Sequence, residues 1–169
     1  MSATGLDMFD RTIQTTNAWL DEIMEDVGPD RQLAWKVLTV VLHKTRDRLP
    51  VELATQLGAE LPLLIRGIYY DQFEPAKQPL RCRNLEELTN EIADRLSDTK
   101  RIHPSLALQA VWATLSRRVP AGQIRKVQDA LPHDLREFWN AAEEALVPSL
   151  EQGETRARHA FQSGPASVA

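Results

Sequence analysis

The chain has 169 residues, 43% hydrophobic and 26% charged, with a formal net charge of −4. That length suits one domain or two closely packed halves, with a core large enough to need no covalent staple. A single cysteine, Cys82, excludes an intramolecular disulfide and a thiolate zinc cluster, and no apolar run reaches the roughly 18 residues of a membrane span.

Acidic residues gather at the start. Asp7, Asp10, Asp21, Glu22, Glu25 and Asp26 face Arg11 alone, which puts −5 on residues 1–29 and +1 on the remainder. The basic pairs Arg81/Arg83, Arg117/Arg118 and Arg125/Lys126 are scattered, not the continuous stripe that a nucleic acid demands, so no nucleic-acid partner is expected. The opening "MSATGLDMFD" lacks the basic start and apolar block of a secretory signal, which gives a cytoplasmic protein with no membrane partner as the expectation.

Helical spacing appears from the first residues. Phe9, Ile13, Thr16, Leu20, Ile23 and Val27 step by three and four and predict one apolar stripe, closed by Gly28-Pro29. Asp30 is placed to cap a second helix with the stripe Ala34, Val37, Leu38, Val41, Leu42, Thr45 and Leu49. Leu49-Pro50 then predicts a sharp corner, since proline disfavours helical geometry in the residue before it yet suits a helix start. A third stripe (Leu53, Ala54, Leu57, Leu61) ends at a second corner, Leu61-Pro62, which opens a short helix through Ile65, Ile68 and Tyr69.

Glu74–Asn84, "EPAKQPLRCRN", has two prolines and no helical pattern and reads as a connector. Asn84 with Glu87 resembles a capping box before the stripe Leu85, Leu88, Ile92 and Leu96. His103-Pro104 starts the next helix, with Ala107, Leu108, Val111, Trp112, Leu115 and Val119 as its stripe. Pro120 and Pro132 mark two more corners, and the last helix continues past Trp139 to Pro148.

The second half repeats the first at an offset of 70. Eight of 40 positions match between 31–70 and 101–140, among them Arg48/Arg118, Pro50/Pro120, Pro62/Pro132 and Arg66/Arg136, where chance gives roughly two or three. Upstream, Ile23/Ile92 and Val27/Leu96 align at 69. The expected fold is all-α: a helical bundle of two similar three- to four-helix repeats related by a pseudo-twofold. Residues 6–73 form repeat one, 74–83 the connector and 84–147 repeat two, with 148–169 a partly disordered tail, all in one compact domain.

The string "LPVELATQLGAELPLLIRGIYYDQFEP", followed by a second "LP" segment with an aromatic end, resembles the bacterial family catalogued as domain of unknown function 2267, from about Phe9 to Trp139. The resemblance implies an all-helical fold and supplies no activity, substrate or catalytic residue.

Catalytic signatures are missing: no glycine-rich phosphate loop, HExxH, GxSxG or CxxC occurs. No catalytic residue, metal ligand set or cofactor is assigned. His133/Glu137 and His43/Asp47 have helical-turn spacing, but two ligands are not a metal site, and both pairs read as solvated. His103 reads as a cap and Cys82 as a bystander thiol. Arg48 and Arg118 complement helix dipoles. Arg66 and Arg136, kept in both copies, read as guanidinium groups serving carbonyls or a carboxylate at the corners, with anion binding as the alternative.

Function is sought where the copies differ. "RGIYYDQFEP" crowds Tyr69, Tyr70 and Phe73 into five positions, either to cover the seam between halves or to face a partner. The favoured function is a non-enzymatic interaction module, partnered by another protein or by itself. Its candidate surface is Tyr69, Tyr70, Phe73, Arg66, Arg136 and Trp139, or the acidic first helix. The alternative is a protein or enzyme binding a small ligand, anion or metal in a pocket at the seam, using Arg66, Arg136, Tyr69 or His133.

Overall fold

A computed structural model describes residues 3–145. Among them run eight α-helices and no strand: α1 (Asp7–Val27), α2 (Arg31–Arg46), α3 (Val51–Glu60), α4 (Leu63–Tyr70), α5 (Leu85–Arg95), α6 (Pro104–Arg118), α7 (Ala121–Ala130) and α8 (His133–Glu144). A 3-10 turn, Pro75–Lys77, interrupts the link between α4 and α5. The proposed tail from 148, and the last residues assigned to repeat two, lie outside the described residues.

Local chemistry sets the boundaries. Gly28 closes α1 at φ 104°, a conformation an L side chain resists, and its N–H bonds the Met24 carbonyl. The Asp30 carboxylate takes the N–H groups of Gln32 and Leu33 at 3.0 and 3.1 Å, satisfying two donors the helix start leaves unpaired. Asn84 caps Glu87 at 2.9 Å, while the Glu87 carboxylate reaches back to the Arg83 N–H, one residue earlier than an ordinary capping box.

Pro50, Pro62, Pro120 and Pro132 each sit immediately before a helix with ψ between 134 and 153°. Each turns the chain and then gives its carbonyl to the first helical bond, from Ala54, Arg66, Ile124 and Arg136 respectively. The same corner is thus made four times by the same means.

Helices α2 and α6 form the centre. Both are buried or half-buried along almost their whole length, as helices enclosed by others are. They pack against each other, and the Trp112 indole N–H crosses between them to the Thr45 hydroxyl at 3.0 Å. α1 and α5 each cover both central helices, α4 lies on α2, α8 lies on α6, and α3 meets α7. Trp112 and Trp139 stack at 4.4 Å between ring centres, both fully buried, and anchor α8 on α6.

One stripe departs from expectation. In α1, Thr16, Trp19, Leu20 and Ile23 are buried, but Phe9 and Ile13 stand 47% and 46% exposed. The first turns of α1 carry an apolar face that the bundle does not cover.

Candidate functional site

Arg66 and Arg136 close the corners. Arg66 Nε donates to the Gly58 carbonyl at 2.9 Å, and its Nη2 to Ala59 and Leu61 at 2.8 and 2.9 Å. Arg136 makes the same three bonds to Gln128, Asp129 and Leu131, at 3.2, 3.1 and 3.4 Å. These are carbonyls at the end of the preceding helix, which have no partner within it. A five-donor planar fork suits that cluster.

The aromatic residues pack against one another and against α2 and α3. Tyr69 is fully buried and its hydroxyl donates to the Ala54 carbonyl at 2.6 Å. Burial pushes the phenol's pKa up, so it stays a neutral donor. Tyr70 is half-buried, edge-on to Tyr69 at 5.0 Å, with its hydroxyl on the Thr55 carbonyl at 3.2 Å. Phe73 stands edge-on to Tyr70 at 5.6 Å, and the Arg46 guanidinium lies over its ring at 5.3 Å. Arg46, 2% exposed, also donates to the carbonyls of Tyr69 and Asp71 and pairs with Asp47. Three rings fit into five positions because Gly58 leaves the Tyr70 ring room and Phe73, beyond the end of α4, takes Arg46 as a cationic partner.

In the second half the same positions hold a polar network. Trp139, the counterpart of Tyr69, donates its indole N–H to the Ser116 hydroxyl at 2.8 Å, and Ser116 donates to Glu143 Oε1 at 2.6 Å. Gln128 Nε2 bonds both Asn140 and Glu143, at 3.2 and 3.1 Å. Around them is a depression of about 300 Å³, bordered also by Ile124 and Arg125.

Arg48 and Arg118 do more than face a dipole. Arg48 is buried, donates to the Lys44 carbonyl and pairs with Glu91 of α5 at 2.8 Å. Burial works against its charge, but the neighbouring Cys82 sulfur and the Glu91 carboxylate outweigh it, and its pKa rises. Burial would raise the pKa of Glu91, yet the Lys44 and Arg48 hydrogen bonds prevail and lower it. Arg118 and its neighbour Arg117 both bind Glu22 of α1.

His43 does not pair with Asp47 in solvent. It is buried, and its Nε2–H meets the Ile68 carbonyl at 2.5 Å, while Asp47 is taken by Arg46. Burial is the main cause of its lowered pKa. His133 is exposed beside Glu137 at 3.1 Å, and His103 Nδ1 accepts the Ser105 N–H at 3.3 Å as a cap. Cys82 is half-buried in the connector, which is tied to the end of α2 by Leu80 N–H on the Asp47 carbonyl and Gln78 on the Arg46 carbonyl. Among the described residues no group of three His, Cys, Asp or Glu side chains is placed to hold a metal ion, and no helix is long and apolar enough to cross a membrane.

The uncovered face of α1 continues onto α4. Met8 is 61% and Leu63 55% exposed, and both line a depression of about 430 Å³ with Asp7, Arg11, Thr12 and Pro62. Leu6, Phe9, Ile13 and Leu64 are the other exposed large apolar side chains of these two segments.

No curated protein matches the chain. A family model described as "Uncharacterized conserved protein (DUF2267)" matches residues 16–138, from the first buried turn of α1 into α8. The shared unit therefore includes all four proline corners, both corner arginines and the two central helices, and the chain belongs to the DUF2267 family.

Proposed function

We propose that the protein is a non-enzymatic helical interaction module. Its partner-facing surface is the first half of α1 together with the start of α4. The observation that carries this is the set of exposed apolar side chains Met8, Phe9 and Ile13 on the first turns of α1, with Leu63 beside Met8, which no element among the described residues covers. Several large apolar side chains left exposed on one short stretch of helix suit a docking surface. Asp7 and Arg11 both border the depression, but α1 as a whole is acidic, with Asp7, Asp10, Asp21, Glu22, Glu25 and Asp26 against Arg11, which suits a protein partner whose apolar helix face is flanked by basic side chains.

The scaffold behind the surface is two four-helix units related by a pseudo-twofold axis between α2 and α6. Helix contacts come in matching sets: α2 with α4 and α6 with α8, α1 with α2 and α5 with α6, α3 with α4 and α7 with α8. α5 has 11 residues where α1 has 21. The extra turns of α1 are the part of the first unit that the second lacks, and they bear the exposed stripe.

Substituting Phe9→Asp and Ile13→Asp tests the surface. Sedimentation velocity over a concentration range reads self-association, and cross-linking with co-purification from the native cell reads a second protein. The double variant is expected to lose the association while melting at the wild-type temperature. A wild-type protein that stays monomeric and captures nothing the variant loses overturns the reading.

A further inference from the structure

The first half of the bundle shows what the second half is missing. The residues around the depression in α6–α8 follow the first-half aromatic cluster by 70 positions: Ser116 follows Arg46, Gln128 follows Gly58, Asn140 follows Tyr70 and Glu143 follows Phe73. In the first half a guanidinium lies against an aromatic ring, and the Tyr70 ring lies over Gly58. In the second half both rings and the guanidinium are replaced by shorter polar side chains, and an open notch of about 300 Å³ remains.

The chemistry of the notch is specific. Glu143 stands beside Ser116 as Phe73 stands beside Arg46, although α8 runs on to Glu144 where α4 ends at Tyr70. Its Oε1 is fixed by two neutral donors, Ser116 and Gln128, and no cation of the described residues pairs with it. Its Oε2 takes no hydrogen bond among the described residues. Behind Ser116 stand the stacked rings of Trp139 and Trp112, so the carboxylate is backed by a rigid wall.

We propose that this notch binds a guanidinium group, which the Glu143 carboxylate receives in the place that Arg46 fills from within the first half. A flat fork of donors matches a fixed carboxylate better than an ammonium does. Arg125 on the rim favours a ligand that carries an anionic group beside the guanidinium, such as an arginine with a nearby carboxylate. The arginine comes from a partner or from the chain's own Arg156 or Arg158, which follow Glu154 in sequence. The site lies on α6–α8 and does not depend on the α1 surface.

The Trp139 indole N–H reports on the notch through Ser116, so its nitrogen-15 resonance is the readout in the full chain. Nα-acetyl-arginine is the probe and Nα-acetyl-citrulline, its neutral isostere, the control. A saturable shift with the first and none with the second is expected, weakened at least about tenfold in Glu143→Gln, where the amide oxygen still accepts from Ser116. If the wild type does not respond but Arg156→Ala with Arg158→Ala does, the chain's own arginine occupies the notch and the proposal stands. Equal shifts with citrulline, or silence in both proteins, overturn it.

Discussion

Arg48, just past the end of α2, binds Glu91 of α5 at 2.8 Å, and at the matching place in the other half Arg118 of α6 binds Glu22 of α1. The arginines are 70 positions apart and the glutamates 69, the two offsets by which the halves align. Each arginine therefore reaches a carboxylate of the opposite half. The two ion pairs fasten α5 to the end of α2 and α1 to the end of α6.

The environments differ, and so should the costs. The Arg48 side chain is 2% exposed, whereas Glu22 is served by two solvent-facing arginines at 32% and 35%. Arg48→Ala leaves Glu91 with Lys44 alone and strips a buried partner, for an expected loss of about 2–3 kcal/mol. Glu22→Gln is expected to cost less than about 1 kcal/mol. Urea titration of both variants checks the order, and a larger loss at Glu22 contradicts it.

Gly58 and Tyr70 form a second matched pair. A Cβ at Gly58 falls 2.6 Å from Tyr70 Cζ, so Gly58→Ala forces the ring aside. An alanine within a helix ordinarily stabilises by about 1 kcal/mol relative to glycine. Here the expected sign is opposite, a loss of about 1–2 kcal/mol by overpacking. The second half solves the same space with Gln128 and Asn140. Gly58→Gln with Tyr70→Asn should therefore be more stable than Gly58→Gln alone. A double-mutant cycle in urea measures the coupling, and strict additivity would contradict it.

The corners were legible because their chemistry is local. Proline constrains the residue before it and cannot donate, and Asp30, Asn84 and His103 need only the next few N–H groups to act as caps. The stripes of α2 and α6 were legible for the same reason. Apolar spacing in α1 could not show where cover ends, because Phe9 and Ile13 keep the period of Leu20 and Ile23 whether or not another helix lies over them. His43 and Asp47 shared a helical face, but Arg46 claimed the carboxylate and Ile68, 25 residues away, claimed the imidazole. The notch needed both halves side by side: Ser116, Gln128 and Glu143 are ordinary polar residues until Arg46, Gly58 and Phe73 show what occupies that place elsewhere.

Arg66 and Arg136 offer a test of the shared corner. Truncation to alanine removes three hydrogen bonds to helix-end carbonyls in either half. Water reaches part of each site, so the expected loss is about 1–3 kcal/mol per variant. Arg66→Ala should cost more, since its bonds are 2.8–2.9 Å against 3.1–3.4 Å at Arg136. Lysine at either position restores the charge but not the fork, and is expected to recover less than half of the loss in denaturant titration.

Stability should also fall on mild acidification, and His43 gives the sign. Its pKa lies below the ordinary 6.5 because burial disfavours the imidazolium; the Ile68 hydrogen bond opposes this, nearby Arg46 reinforces it, and Asp47 and Asp71 oppose it. The unfolded chain then binds a proton more readily than the folded one. The stabilisation from neutral His43 is complete above the unfolded value near 6.5 and is lost progressively as pH falls toward the lower folded value. His43→Gln keeps a donor for the Ile68 carbonyl and removes the titration. Its melting temperature should therefore fall less than that of the wild type between about pH 7.5 and about pH 5. Carboxylates such as Glu91, whose lowered pKa gives a loss at still lower pH, contribute equally to both proteins and cancel in the comparison. Parallel pH profiles for the two proteins would show that His43 is protonated as easily in the bundle as in the unfolded chain, contrary to its burial against Ile68.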